Sequence, residues 1–235
     1  MILIEPSLAS ADQLNLQTHI DTLKNAPSLH LDIEDGNFVP NITFGLKTVR
    51  AVARYAKQRL DAHLMVSQPE NYVLDLLQMG VHSIAIHIEA GQYPAVQLQA
   101  IRKGGGRAGL AFNCMAPIEA GLAYREWIDY LLIMTSEPDG MGQRFNEHIL
   151  QKISRARTLY GPEMEIMADG GIGDELGRKI PESELYVCFT LSVVKNAVAA
   201  CGANVIVMGR TIWNAPDPQE QYGVLMERLQ RYGEQ

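Results

Sequence analysis

The sequence predicts a protein of the α/β class, a closed (β/α)8 barrel, and three observations lead there. Short β-branched or aliphatic runs alternate with longer amphipathic stretches, the rhythm of a parallel sheet covered by helices. Eight such pairs fit between Met1 and Gln235, which suits a closed barrel better than an open doubly wound sheet with its usually smaller strand number. At 235 residues, 47% of them hydrophobic, with no linker and no low-complexity tract, the chain is expected to form one barrel domain over 1–235.

The elements follow in order. A first strand near Ile2 closes at Ser7, and a helix over 12–24 follows, with an acidic start at Asp12. A second strand begins near Leu29 and is ended by the Asp35-Gly36 turn and Pro40. Further strands are expected near Leu60, Ser83, Ala108, Tyr130, Glu165 and Asn204, with helical stretches over 46–56, 70–79, 145–160 and 218–232. The unit over 173–202 is unusually long, and Pro181 interrupts it before an apolar run from Leu185 to Val198, so two helical pieces are expected there.

Composition narrows the function classes. A net charge of -7, without a basic run carrying interleaved aromatics, speaks against nucleic acid or an anionic membrane and for a small-molecule partner. Cys114, Cys188 and Cys201 are an odd, widely spaced set, which fits free thiols and a cytoplasmic address better than a disulfide frame. The apolar run from Ile2 to Ile4 is too brief for a signal segment or a membrane span.

Residues 29–41 carry the most functional information. His30, Asp32 and Glu34 alternate with Leu29, Leu31 and Ile33; on a strand, one imidazole and two carboxylates therefore share a face. Burying an unpaired carboxylate costs several kcal/mol, roughly, so that face needs water, a metal or a substrate. In a barrel, reactive groups gather where strands end and βα loops begin. Ser7, His30, Asp32, Asp61, His63, His87 and Asp169 all fall at such expected ends. A single His-x-Asp pair is a weak signal, but His30, Asp32, His63 and Asp169 from three strands form a candidate site for one divalent cation; nitrogen and oxygen donors without thiolate suit zinc, iron, manganese or cobalt. Gly170-Gly171 and Gly209-Arg210, after the seventh and eighth strands, are the candidate phosphate cradle.

Several segments in order resemble the ribulose-phosphate 3-epimerase family. They are Pro6-Ser7, His30-Leu-Asp32 with Asp35-Gly36 and Phe38-Val39-Pro40-Asn41, Asp61-Ala-His63-Leu64-Met65-Val66, Ile133-Met134-Thr135 with Glu137-Pro138, Gly142-Gln143, Asp169-Gly170-Gly171, and Gly209 with Ile212. The resemblance implies a TIM barrel of the ribulose-phosphate-binding type and a divalent metal on His30, Asp32, His63 and Asp169. It also implies catalytic roles for Asp32 and Asp169 as acid and base. Met65 and Met134 would cap the metal site. Ser7, His63, Gly140, Gly142, Gly170, Gly171, Gly209 and Arg210 are the expected substrate contacts, and relatives' assemblies make a homo-oligomer an expectation. The reaction implied is inversion at C3 of a ketose phosphate, D-ribulose 5-phosphate to D-xylulose 5-phosphate, by two-base proton transfer through a metal-stabilised enediolate.

The chain departs from the family near the substrate. Glu34 stands where the family usually has Met; it either binds a substrate hydroxyl or turns outward. Asp139-Gly140-Met141-Gly142 replaces a Gly-Phe-Gly-Gly loop, losing a glycine and gaining a carboxylate, for which Arg210 and Arg144 are candidate compensation. Asn37 replaces a His. The alternatives are therefore a ketohexose phosphate such as allulose 6-phosphate as substrate, a non-catalytic sugar-phosphate-binding barrel, or an enediolate barrel that makes or breaks carbon–carbon bonds. No strand-end lysine supports the last. His87 reads as a packed or supporting histidine, and Cys114 as a small buried hydrophobe rather than a nucleophile.

Overall fold

A computed structural model describes residues 2–138, 144–173 and 198–233 of the chain, the side chains to residue 230. The expected contacts Gly140 and Gly142, the loop carboxylate Asp139, Cys188 and most of the 173–202 unit lie outside the described residues.

The strands are β1 (Leu3–Pro6), β2 (Ser28–Glu34), β3 (Arg59–Met65), β4 (Ser83–His87), β5 (Arg107–Phe112), β6 (Tyr130–Met134), β7 (Glu165–Asp169) and β8 (Val205–Met208). All pair in parallel in the order β1-β8-β7-β6-β5-β4-β3-β2. A parallel bridge between Ser7 and His30 joins the two ends, curling the sheet into a (β/α)8 barrel. Each strand starts within one residue of its expected position.

Among the described residues the helices include α1 (Leu16–Thr22), α2 (Leu46–Tyr55), α3 (Glu70–Gln78), α4 (Pro94–Lys103) and α5 (Ile149–Tyr160), with a short helix Arg210–Trp213 and a C-terminal helix Pro218–Gly233. Among the described residues none is long and apolar enough to cross a membrane. α1 starts later than expected because the Asp12 carboxylate accepts from the Leu14 N–H (3.0 Å) and the Asn15 amide (2.6 Å), holding a turn where a helix was expected. α5 is delayed likewise: the Asn146 N–H donates to the Thr135 carbonyl at 2.7 Å, tying that stretch to the end of β6. Between β5 and β6 runs a 3₁₀ helix, Ile118–Trp127. Its Gly121 packs so closely on Tyr160 and Phe112 that a Cβ would lie 2.4 Å from the Tyr160 hydroxyl.

β2 shows how the period-two pattern sorts the molecule. Leu29, Leu31 and Ile33 face the helices and are fully or almost fully buried. Each such side chain contributes roughly 1.5–3 kcal/mol. Their polar neighbours point into the barrel, whose own core is Met65, Ala85, Ala111, Tyr130, Leu132, Met134, Met167, Val205 and Val207. The interior is thus apolar on the β4–β6 side and polar on the β1–β3 side.

Asp61 corrects one expectation. It is not at the strand end but the third of seven residues of β3, one step below His63, and His30, paired with it in register, is likewise the third of seven in β2. There it sits with Glu5 and His30, their ligand-type atoms within 4.8 Å of one another. The Ser28 hydroxyl donates to Glu5 Oε1 at 2.6 Å, and the Tyr130 hydroxyl lies 3.3 Å from Asp61 Oδ1. Burial first, then the Glu5 carboxylate, push the Asp61 carboxyl up to about 8 against the pull of His30 and His63. Tyr130 reaches Asp61 because Gly109 leaves room: a Cβ there would meet Tyr130 Cζ at 2.3 Å.

Two stability predictions follow from this inner layer. Gly109→Ala forces a rigid ring and a strand apart and is expected to cost about 1–3 kcal/mol, read as a lower urea midpoint; an unchanged midpoint would contradict the packing. For Asp61, the folded carboxyl holds its proton to about 8 while the unfolded one releases it near 3.9, roughly. Stability is therefore lost as pH rises between these values. In metal-free protein, Asp61→Asn should gain on the order of 1–3 kcal/mol over wild type at alkaline pH and much less in acid. A variant destabilised equally at both would contradict the assignment.

Candidate active site

The parallel register brings the candidate residues together. Asp32 on β2 is level with His63 on β3, and Met134 on β6 is level with Asp169 on β7. His30 Nε2 lies 3.1 Å from Asp32 Oδ1 and 3.9 Å from Asp169 Oδ2. His63 Nδ1 lies 3.2 and 3.3 Å from the same two oxygens. All four residues are buried, and one donor atom from each falls within 4.8 Å of the others. Two imidazole nitrogens and two carboxylate oxygens turned to one point fit a divalent cation of the zinc, iron, manganese or cobalt kind.

The two carboxyls are not equivalent. Burial alone would raise both. For Asp32 the His30 and His63 imidazoles outweigh burial and hold the carboxyl well below the usual range. For Asp169 burial and the Asp32 charge prevail over the two imidazoles, and it is raised. Two adjacent carboxyls driven apart in this way are disposed as one base and one acid. The imidazoles respond in turn: burial opposes their charge, but the carboxylates raise His63, and raise His30 well above the ordinary value.

Ser7, an expected substrate contact, bonds within the protein and caps the turn that follows β1. Its hydroxyl donates to Asp32 Oδ2 at 2.6 Å and accepts from the Ala9 N–H at 3.3 Å. That bond leaves Asp32 Oδ1 for the histidines. His87 is a supporting residue: its Nε2 is 2.8 Å from His63 Nε2, the two rings meeting edge to edge with centroids 4.9 Å apart, and burial pushes it down to about 4. Cys114, half-buried, lacks the surroundings that activate a thiol: burial and then Glu137 push it up to about 11.

Gly170, Gly171, Gly209 and Arg210 do converge. With Ser7 and Ser10 they line a cavity of about 190 Å³ that reaches Asp32 and Asp169. The glycines are required there. Gly170 has φ 113°, and a Cβ would strike Ser136 Oγ at 2.4 Å; at Gly209 it would meet Ser10 Oγ at 2.3 Å. Ser136 Oγ is buried with no hydrogen-bond partner among the described residues.

Glu34 is turned inward. It is buried, Oε2 accepts from the Asn41 amide at 2.6 Å, and burial followed by the Asp32 charge pushes its carboxyl up to about 7. With Asn41, Thr43, Met65, Met134 and Arg210 it lines a second cavity of about 180 Å³, again bounded by Asp32 and Asp169. Asn37 is exposed in the Asp35 turn, away from both cavities, and Arg144 is exposed as well.

Sequence reasoning overlooked Glu5, Asn41, Thr43 and Glu89. Two had a signal. Glu5 is two residues before Ser7 on the same strand face, and His87-Ile-Glu89 repeats the His-x-acid spacing of His30-Leu-Asp32.

Comparison with known proteins agrees with this geometry. Residues 3–194 match the model of the ribulose-phosphate 3 epimerase family. A ribulose-phosphate 3-epimerase of Candida glabrata is 32% identical over 97% of this chain and 93% of its own. The cytoplasmic isoform of that enzyme from Oryza sativa subsp. japonica is 33% identical over 97% and 94%. Among solved structures, an orotidine 5'-monophosphate decarboxylase of Sulfolobus solfataricus superposes with a TM-score of 0.67 over 99% of each chain, at 11% identity, a likeness of fold alone. The motifs, the barrel that brings them together and the extent of the match to known epimerases lead to one conclusion: this chain belongs to the ribulose-phosphate 3-epimerase family.

Proposed function

We propose that the protein is a metal-dependent 3-epimerase of a ketose phosphate, interconverting D-ribulose 5-phosphate and D-xylulose 5-phosphate. The observation that carries this is the pair Asp32 and Asp169, both buried and turned to one point, with an oxygen of each within 3.9 Å of His30 Nε2. Inversion beside a ketone needs a proton removed from one face and another returned on the opposite face, so two proton carriers must flank the carbon. One of the two carboxyl groups takes the proton and the other gives one; Asp32, held low by the imidazoles, is the base in one direction, and the roles exchange in reverse. A divalent cation on His30, Asp32, His63 and Asp169 would supply the positive charge that stabilises the enediolate oxygens and offsets repulsion between the carboxylates.

The remaining residues bind and orient. The Ser7 hydroxyl fixes the rotamer of Asp32. The glycine-lined cavity offers backbone N–H groups and Arg210 to the phosphate. Met65 and Met134 keep water from the reacting carbon, and Glu34 with Asn41 offers acceptors and donors to the hydroxyl end of the sugar. The cysteine usage and the cytoplasmic isoform among the relatives support a cytoplasmic address.

Asp32→Asn and Asp169→Asn are each expected to lower kcat by roughly 10²–10⁴-fold, and chelation to abolish turnover until zinc, iron, manganese or cobalt is restored. Assays with D-ribulose 5-phosphate and allulose 6-phosphate in parallel decide the substrate. Near-native rates in either variant would overturn the two-base reading, and turnover of the hexose alone would overturn the substrate.

A further inference from the structure

A line of hydrogen bonds leads away from the site through His63. His63 Nε2 lies 2.8 Å from His87 Nε2, and His87 Nδ1 lies 3.3 Å from Glu89 Oε2. The other Glu89 oxygen accepts from the Asn113 N–H at 2.9 Å. Two facing ring nitrogens need one donor and one acceptor, and an ionised carboxylate only accepts. Glu89 therefore requires the proton of His87 on Nδ1. His87 is wholly buried, between the Phe38 ring at 4.8 Å and the His63 ring at 4.9 Å. As a neutral imidazole with Nδ1–H it presents a lone pair at Nε2, so the proton in the 2.8 Å contact belongs to His63. His63 Nδ1 then faces Asp32 Oδ1 and Asp169 Oδ2, and once its proton has left to solvent its lone pair is open to a cation.

We propose that Glu89 and His87 are positioning residues that fix the proton of His63 on Nε2 and so turn its Nδ1 lone pair toward the carboxylate pair; the use of that lone pair rests on the metal reading above. Neither residue touches the reacting atoms. They act by removing the other tautomer and the other ring orientation of His63, which metal-binding histidines generally owe to an acceptor behind the ring.

Long-range proton–nitrogen NMR of the histidines tests proton placement directly, in metal-free and zinc-loaded protein. The expected spectrum has His87 protonated on Nδ1 and bare on Nε2, and His63 protonated on Nε2, in both states. Protonation of His87 on Nε2 would overturn the proposal. Zinc affinity, read by competition with a chromophoric chelator, is expected to fall about 10–100-fold in His87→Phe, which keeps a ring but no acceptor. His87→Gln, whose amide oxygen can take the same proton, should recover most of that loss. Equal affinities in wild type and His87→Phe, or a Gln variant as weak as Phe, would contradict the positioning role. If wild type takes up no zinc, the metal reading fails, and the metal-free spectrum still decides where the protons lie.

Discussion

Asp32 and Asp169 are held inside the barrel with their oxygens turned to one point, and most of the molecule's local design follows from that placement. Each buried ion costs several kcal/mol, roughly, unless it is compensated. Compensation comes from His30, on the same strand as Asp32, from His63 on β3, and from the Ser7 hydroxyl, at contacts of 2.6–3.9 Å. Because the imidazoles favour Asp32 over Asp169, the Asp32 carboxyl is drawn below the ordinary range and the Asp169 carboxyl is raised. The same arrangement that makes the anions tolerable makes them chemically unequal.

The barrel supplies this at little extra cost in shape. A parallel sheet places residues of equal register at equal height, so Asp32 is level with His63 without any loop having to carry it. Closure through Ser7 and His30 brings the first strand's hydroxyl against the second strand's carboxylate. Around this polar sector, Leu132, Met134, Met167 and Val207 fill the interior and keep the dielectric low. Below it lies a second polar layer, Glu5, Asp61 and Tyr130. His30 bridges the two layers: its Nδ1 lies 3.8 Å from Glu5 Oε2, its Nε2 in the site.

Much of this was legible in the chain. The alternation of Leu29, Leu31 and Ile33 with His30, Asp32 and Glu34 gives the strand, its faces and three site residues at once, because a one-residue slip would exchange core for cavity. Depth along a strand was not legible: Asp61 and His63 share a face, and the observed extent of β3 to Met65 shows how far below the rim Asp61 sits. Helix starts were misread where a local side chain competed with the backbone, as at Asp12, or where a tertiary bond pinned it, as at Asn146. Glu34 could have turned either way by sequence, and the Asn41 amide is what holds it inward. Glu5 escaped because a lone carboxylate on a strand says nothing until its imidazole partner is placed opposite it, and Glu89, in the turn after β4, because its spacing from His87 was left unread.

The claim on which the rest depends is that two carboxyl groups exchange the C3 proton with solvent on opposite faces of the sugar. Solvent isotope incorporation measures it most directly: D-ribulose 5-phosphate is incubated with metal-loaded protein in heavy water and both epimers are followed by NMR. Two-base transfer predicts that the xylulose epimer carries deuterium at C3 from its first appearance, and that chelation stops both exchange and inversion. Epimer that forms with its original proton retained at C3 would contradict it.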